Sequence, residues 1–396
     1  MNNLSVLCLA VAGLSACNGS NSKSSETANA SSRSNAAEKP NIVIILTDDQ
    51  GYGDMKCYGN SRLQTPNLDQ LAAEGIRFTN FYAGAAASTP SRAALLTGRY
   101  AERAGLQGVV DDLSVNGLES DEFTLADYLK QNNYATGIFG KWHLGCLPEH
   151  LPLRHGFNEF FGLPYSNDMW PFHPQPGHPY RALPLYDNER VVEYNPTVNH
   201  MTTRITERAT AFIDKHKNEP FLLYVPYTQP HVPLGVSDKF KGKSGEGLYA
   251  DVIMEIDWSV GEIMKTLKEN GLDDHTLVLF TSDNGPWLSY GNHGGSTGGL
   301  REGKGTTFEG GQRVPFIARM PGRIPAGKVS EQCLSALDIT PTIVELTGSQ
   351  MPRMNEFDGE NVWMTLTGQA QSHKPFYFLY DGKVEAVRDG KWKCVA

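Results

Sequence analysis

No basic run interrupts the chain. Its 396 residues set 35 Lys and Arg against 44 Asp and Glu, a formal net charge of -9, which argues against nucleic acid as the main partner. Beyond the first sixteen residues, no apolar stretch approaches the roughly 18 residues that a membrane-crossing helix needs. Cysteine is scarce, six in all, and Cys57, Cys146, Cys333 and Cys394 stand far apart without a CxxC pair. That spacing indicates neither a zinc cluster nor a disulfide framework and leaves buried free thiols as the expectation. There is no internal repeat. With 40 Gly, 23 Pro and 40% hydrophobic residues the composition is that of a loop-rich globular protein. The length allows two or three units of about 150 residues, or one large α/β domain with an appendage.

The first segment stands apart. Residues 1–17 open with an apolar, small-residue stretch, with no Lys or Arg before it, and end in Leu14-Ser15-Ala16-Cys17. The stretch is too short to span a bilayer and reads as a signal peptide. Its ending resembles a bacterial lipobox, so the expectation is an exported bacterial lipoprotein of the periplasm or outer membrane, touching the membrane only through lipid on Cys17. Residues 18–39 are Ser, Asn and Ala with few large apolar side chains and read as a flexible tether. An α/β domain is expected over 40–350 and a smaller C-terminal subdomain over 351–396.

Short apolar runs then alternate with helical patterns. Ile42–Leu46, Ala135–Phe139, Phe221–Val225, Leu277–Phe280 and Phe316–Ala318 read as buried strands. Tyr249, Val252, Ile253, Ile256, Val260, Ile263, Met264 and Leu267 share one helical face that stops at Gly271, and Leu125–Leu129 and Ile205–Ile213 are similar. The fold class that follows is α/β: a doubly wound, mostly parallel sheet flanked by helices.

In such sheets ligands bind beyond the carboxyl ends of the strands. Four runs end in polar chemistry there: Thr47-Asp48-Asp49-Gln50, Gly140-Lys141-Trp142-His143, Gln229-Pro230-His231 and Ser282-Asp283-Asn284-Gly285. Asp48, Asp49, Asp283 and Asn284 are oxygen donors suited to a hard divalent cation such as calcium or magnesium. Any one such pair alone is more commonly a loop or cap residue binding its own backbone, and it is their joint placement that favours the metal. Lys141, His143, His231 and Lys304 suit an anionic tetrahedral group whose leaving oxygen needs a proton. Gly298–Gly305, which contains Lys304, reads by itself as a surface loop. Ser88-Thr89-Pro90-Ser91-Arg92 precedes a small-residue helical stretch, Ala93–Leu96, which places Ser88 just before a helix N-terminus. A plain N-cap explains that segment as well as an anion site does.

Together these residues resemble the sulfatase family, a branch of the alkaline phosphatase superfamily, from Pro40 to about Pro321. The run Ser88 to Arg99 is similar to the family's maturation signature, and Gly140-Lys141-Trp142-His143-Leu144-Gly145 to its second signature. Thr47-Asp48-Asp49, Ser282-Asp283-Asn284-Gly285 and Lys304-Gly305-Thr306 with Glu309-Gly310-Gly311 complete the set. The resemblance implies that Ser88 is oxidised to Cα-formylglycine by an anaerobic-type maturating enzyme, Ser-type members being bacterial. It implies one calcium ion on Asp48, Asp49, Asp283 and Asn284 beside the modified Ser88. Arg92 and Lys141 would steady the formylglycine, His143 would orient its hydroxyl, and His231 and Lys304 would meet the sulfate and the leaving alcohol.

Leu163–Trp170 is similar to arylsulfatases and N-acetylgalactosamine-6-sulfatases, which with the lipid tether points to sulfated glycans carrying galactose or N-acetylgalactosamine sulfates. Trp170, His173, His178 and Trp287 are candidates for lining a sugar subsite, with ordinary packing as the alternative. Pro375–Tyr380 and Val384–Arg388 read as strands of a C-terminal antiparallel sheet whose third strand breaks off from Trp392, so the subdomain is expected to be incomplete. Two other activities stay open: a phosphate or phosphonate ester hydrolase using unmodified Ser88, and a catalytically silent glycan-binding lipoprotein.

Overall fold

A computed structural model describes residues 39–174, 177, 180–350 and 357–396. The signal, lipobox Cys17 and most of the tether lie outside the described residues, as do His178 and the expected boundary segment 351–356. Residues 39–396 form one compact unit. No helix among the described residues is long and apolar enough to cross a membrane.

Ten strands make the main sheet: β1 (Asn41–Thr47), β2 (Ile76–Tyr82), β3 (Ala135–Lys141), β4 (Glu159–Leu163), β5 (Pro184–Asp187), β6 (Arg190–Tyr194), β7 (Phe221–Pro226), β8 (Thr276–Ser282), β9 (Arg313–Arg319) and β10 (Lys328–Ser335). Their order is β10-β2-β9-β8-β1-β7-β3-β4-β5-β6. The run β8-β1-β7-β3-β4 is parallel, with Ile44 of β1 between Leu279 and Tyr224. All five expected strands are present, but β9 runs antiparallel to both β8 and β2, so the sheet is mixed around a parallel centre.

Alternation along β1 shows why helices must cover both faces. Ile42, Ile44 and Leu46 pack into one cluster with Leu95, Leu125, Leu129, Ile339 and Ile343. Val43 and Ile45 pack into the other with Leu68, Ile205, Phe212, Ile253, Ile256 and Val260. Helices α2 (Ser88–Thr97) and α3 (Leu125–Gln131) thus share the first face, while α1 (Pro66–Glu74), α4 (Met201–His216) and α5 (Leu248–Glu269) share the second. Thr124 and Asp127 form a capping box at the start of α3. The carboxylate of Asp257 on α5 takes the N–H groups of Asn67 and Leu68, capping α1 from a neighbouring helix. As expected, α5 stops at Asn270 and Gly271, the latter at φ 68°.

The short helix α6 (Glu309–Gln312) leads into β9, and α7 (Ile339–Leu346) follows β10. A second, antiparallel sheet is built from β11 (Phe376–Tyr380), β12 (Lys383–Asp389) and β13 (Trp392–Val395). Phe376, Phe378 and Ala386 bury themselves against Tyr82, Ala94 and Leu337 of the main unit. The thiols depart from expectation: Cys57, Cys146 and Cys333 are half-buried and Cys394 is exposed, because β13 is an edge strand with little packed over it.

Candidate active site

The parallel centre brings the ends of β8, β1, β7 and β3 side by side, and the polar residues that follow these strands gather at that edge. The backbone turns sharply as they leave the sheet. Asp49 and His143 sit at φ 62° and 63°, a region that non-glycine residues seldom occupy. Ser88 is the first residue of α2, with Ala87 as N-cap, one position further into the helix than the sequence suggests. Proline two residues on suits the first turn, where N–H groups lack helical partners.

Ser88 Oγ donates to Asp283 Oδ2 at 2.7 Å and lies 3.2 Å from Asp48 Oδ1. Arg92, one turn along α2, donates from Nε and Nη2 to Asp283 Oδ2 at 3.0 and 2.7 Å and from Nη1 to the Lys141 carbonyl at 3.0 Å. Lys141 Nζ donates to Asp48 Oδ2 at 2.7 Å and to Ser88 Oγ at 3.4 Å. Arg92, Lys141, Asp48 and Asp283 have no side-chain exposure, so these charges survive only by neutralising one another. Burial opposes ionisation of Asp48, but Lys141, His231 and Arg92 outweigh it and hold the carboxyl below its usual range.

Asp49 is the second node. Its N–H donates to Asp283 Oδ1 at 3.1 Å, Asn284 Nδ2 donates to its Oδ1 at 2.7 Å, Lys304 Nζ reaches its Oδ2 at 2.8 Å, and His231 Nε2 lies 3.6 Å away. Lys304 belongs to the glycine stretch that reads as a surface loop, and the structure shows why it is fixed. Gly303–Gly305 is tied down by Lys304 N–H to Pro286 O and Gly305 N–H to Ala86 O. The loop also passes so close to the next turn that a Cβ on Gly310 would stand 1.9 Å from Glu302 O.

His143 Nε2 donates to the Val110 carbonyl at 2.9 Å, which leaves Nδ1 buried and without a hydrogen-bond partner. Burial first, then Lys141 and Arg92, push its pKa well below the ordinary histidine value, so the ring is neutral with a free lone pair at Nδ1. A second unsatisfied atom is Asn284 Oδ1, whose amide is pinned by Nδ2 bonds to Asp49 and the Gly285 carbonyl. Three carboxylates and an orphaned amide oxygen are the donor set of a hard cation, so these residues fit a divalent metal. Ligand atoms of Asp48, Asp49 and His231 lie within 4.8 Å of one another.

Above Ser88 opens a cavity of about 280 Å³, lined by His143, His231, Lys304 and Trp287 together with Ser166, Asp168, Met169, Val109 and Tyr380. The sequence points to the first four. It misses Ser166, whose Oγ receives Lys141 Nζ at 3.3 Å, and Tyr380, delivered from the small sheet. Trp170 and His173 are absent from this lining; Trp170 packs on Phe172 and His173 on Tyr180. Lys304 and His231 line this cavity together with Ser88, and the buried Lys141 Nζ lies 3.4 Å from Ser88 Oγ.

Residues 40–349 match the sulfatase family model. The chain belongs to the sulfatase family. Arylsulfatase A of Bos taurus is 43% identical over 381 residues, 90% of this chain and 75% of its own length. N-acetylgalactosamine-6-sulfatase of Canis lupus familiaris is 38% identical over 378 residues, 90% of this chain and 72% of its own. The crystal structure of Ps i-CgsB in complex with k-i-k-neocarrahexaose superposes with a TM-score of 0.81 at 34% identity, covering 90% of this chain and 84% of that one. This sulfatase is accordingly a sulfuric ester hydrolase, and its family typically works with a metal ion and formylglycine.

Proposed function

We propose that this sulfatase removes sulfate from sulfated carbohydrates, the class being galactose or N-acetylgalactosamine sulfates of glycans. In this reading Ser88 is converted to Cα-formylglycine and one calcium ion is held by Asp48, Asp49, Asp283 and Asn284. The observation that carries it is the position of Ser88. Its Oγ lies between two carboxylates and a buried lysine, at the floor of a cavity lined by two imidazoles and a second lysine.

Formylglycine, once formed, supplies a hydrated aldehyde with one hydroxyl to attack sulfur and a second whose deprotonation expels sulfate. Calcium, once bound, supplies positive charge beside the sulfate oxygens. The chain's own residues do the rest. His143, neutral and unpartnered at Nδ1, accepts a hydrogen bond from a hydroxyl at position 88 and orients it. Lys141 and Lys304 offset the charge of the sulfate, and Arg92 anchors Asp283 and the end of α2. His231 Nδ1 donates to the Val232 carbonyl, so Nε2 is the ring nitrogen left to meet the leaving alcohol.

The glycan class is supported by the names of two relatives, the N-acetylgalactosamine-6-sulfatase and the complex with neocarrahexaose. It also agrees with export as a lipoprotein anchored at Cys17, which belongs to the same proposal. Protein from the native host, or from cells co-expressing an anaerobic-type maturase, gives a tryptic peptide from Phe78 to Arg92. Its expected mass shows the loss of two hydrogens at Ser88, and calcium-dependent release of sulfate from sulfated galactose or N-acetylgalactosamine is expected alongside. An unmodified Ser88 in the native host would refute the formylglycine mechanism.

A further inference from the structure

Among the groups lining the cavity, Asp168 is out of place. Every other charged or ionisable group named there suits an anion, whereas a carboxylate repels one. It belongs neither to the Arg92–Asp283–Asp48–Lys141 cluster nor to the donor set around Asp49. The Ser166 hydroxyl hydrogen-bonds to it, and Ser166 is itself held by Lys141. The carboxylate is therefore fixed in place before any ligand arrives. One of its oxygens, Oδ1, is shielded from solvent and has no hydrogen-bond partner. Burial opposes its ionisation, but His231, the Ser166 hydroxyl, Lys141 and Lys304 outweigh burial and keep it charged. A fixed anionic acceptor beside the leaving-group histidine calls for a hydrogen-bond donor on the substrate.

We infer that Asp168 is a specificity-determining residue: its carboxylate accepts a hydrogen bond from a hydroxyl of the sugar ring that carries the sulfate ester. Simple aryl sulfates have no such hydroxyl, and a neighbouring sulfate would be turned away. This selection rests on the glycan reading above and adds a residue to it.

The test pairs substrates with variants of the mature, full-length enzyme. Galactose 6-sulfate, its analogues with each ring hydroxyl singly replaced by hydrogen, and 4-nitrophenyl sulfate are compared in kcat/KM. A hydrogen bond to a charged group is worth about 1.5–3 kcal/mol, so one deoxy analogue is expected to fall roughly 10- to 100-fold with the parent enzyme. In Asp168→Asn and Asp168→Ala that same hydroxyl should matter less than about 3-fold, and the sugar-to-aryl ratio should drop by about the amount the deoxy analogue lost. Equal losses on sugar and aryl esters would overturn the inference, as would a parent enzyme indifferent to every ring hydroxyl, a result that needs no variant to fold. A parent enzyme that cleaves the aryl ester but no sulfated sugar would overturn the glycan reading itself, and this inference with it.

Discussion

At the carboxyl ends of β1, β3 and β8, Asp48, Lys141, Arg92 and Asp283 lie buried without side-chain exposure, and Asp49 and His143 hold a strained backbone beside them. In the three-stranded sheet the pattern reverses. Phe376, Phe378 and Ala386 face inward, while Val384 and Trp392 stand 53% and 74% exposed along its outer side. The small sheet is held as amphipathic sheets usually are, by one apolar face with polar ties at its margin: Lys393 to Glu309, Thr307 to Glu385 and His373 to Asp338. The strand-end cluster is held by charge balance and the hydrogen bonds among its members, and a balance of buried charges is costly unless every member is present. Stability in one region comes from removing apolar surface from water; in the other, stability is surrendered to keep a reactive centre preorganised.

That contrast can be broken most severely at Ser88. Ser88→Ala should lower sulfate release by more than about 10⁴-fold while leaving the thermal midpoint within about 2 °C, because it removes the attacking group of the proposed formylglycine and leaves every buried charge its ionic partner; turnover and calorimetry measure the two effects. Asp283→Ala strips Arg92 of its main partner and should cost about 3–5 kcal/mol in denaturant unfolding, unlike a surface acid. Calcium sharpens the comparison further. At about 100 times its dissociation constant it should add roughly 2.7 kcal/mol to unfolding, an increment that Asn284→Ala reduces and that His373→Gln, just before the small sheet, leaves intact.

The tie at the small sheet answers to pH instead. Burial opposes protonation of His373, but Asp338 at 2.8 Å outweighs it and raises the pKa from 6.5 to about 9. Its contribution is therefore full below about pH 6.5 and lost as pH rises through about 9, so His373→Gln should cost about 1–2 kcal/mol at pH 6 and nearly nothing at pH 10. Smallest of all, Trp392→Ser on the exposed edge should change stability by less than about 0.5 kcal/mol, checked in the same titrations.

Much of this was legible in advance where one local property decides the outcome. Ile42–Leu46 and Leu277–Phe280 are strands because a short run of branched apolar residues has few other ways to be buried. The acids that follow them had to emerge at one edge once the strands were parallel. The reversal of β9 was not legible, since periodicity carries no direction. Trp170 and His173 share an aromatic segment with Asp168, yet only Asp168 lines the cavity, a difference set by how the loop folds back.

The sequence by itself determined the alternation of buried strands and one-sided helices, the residue types at each strand end and the family to which they belong. These follow from side-chain period and from chemistry carried by single residues. Tertiary structure decided which of those residues meet. That Ser166 bridges to Lys141, that Tyr380 of the small sheet reaches the cavity over Ser88, and that His143 keeps Nδ1 free all depend on contacts between segments tens to hundreds of residues apart. Such contacts are fixed by packing geometry, which no local pattern encodes.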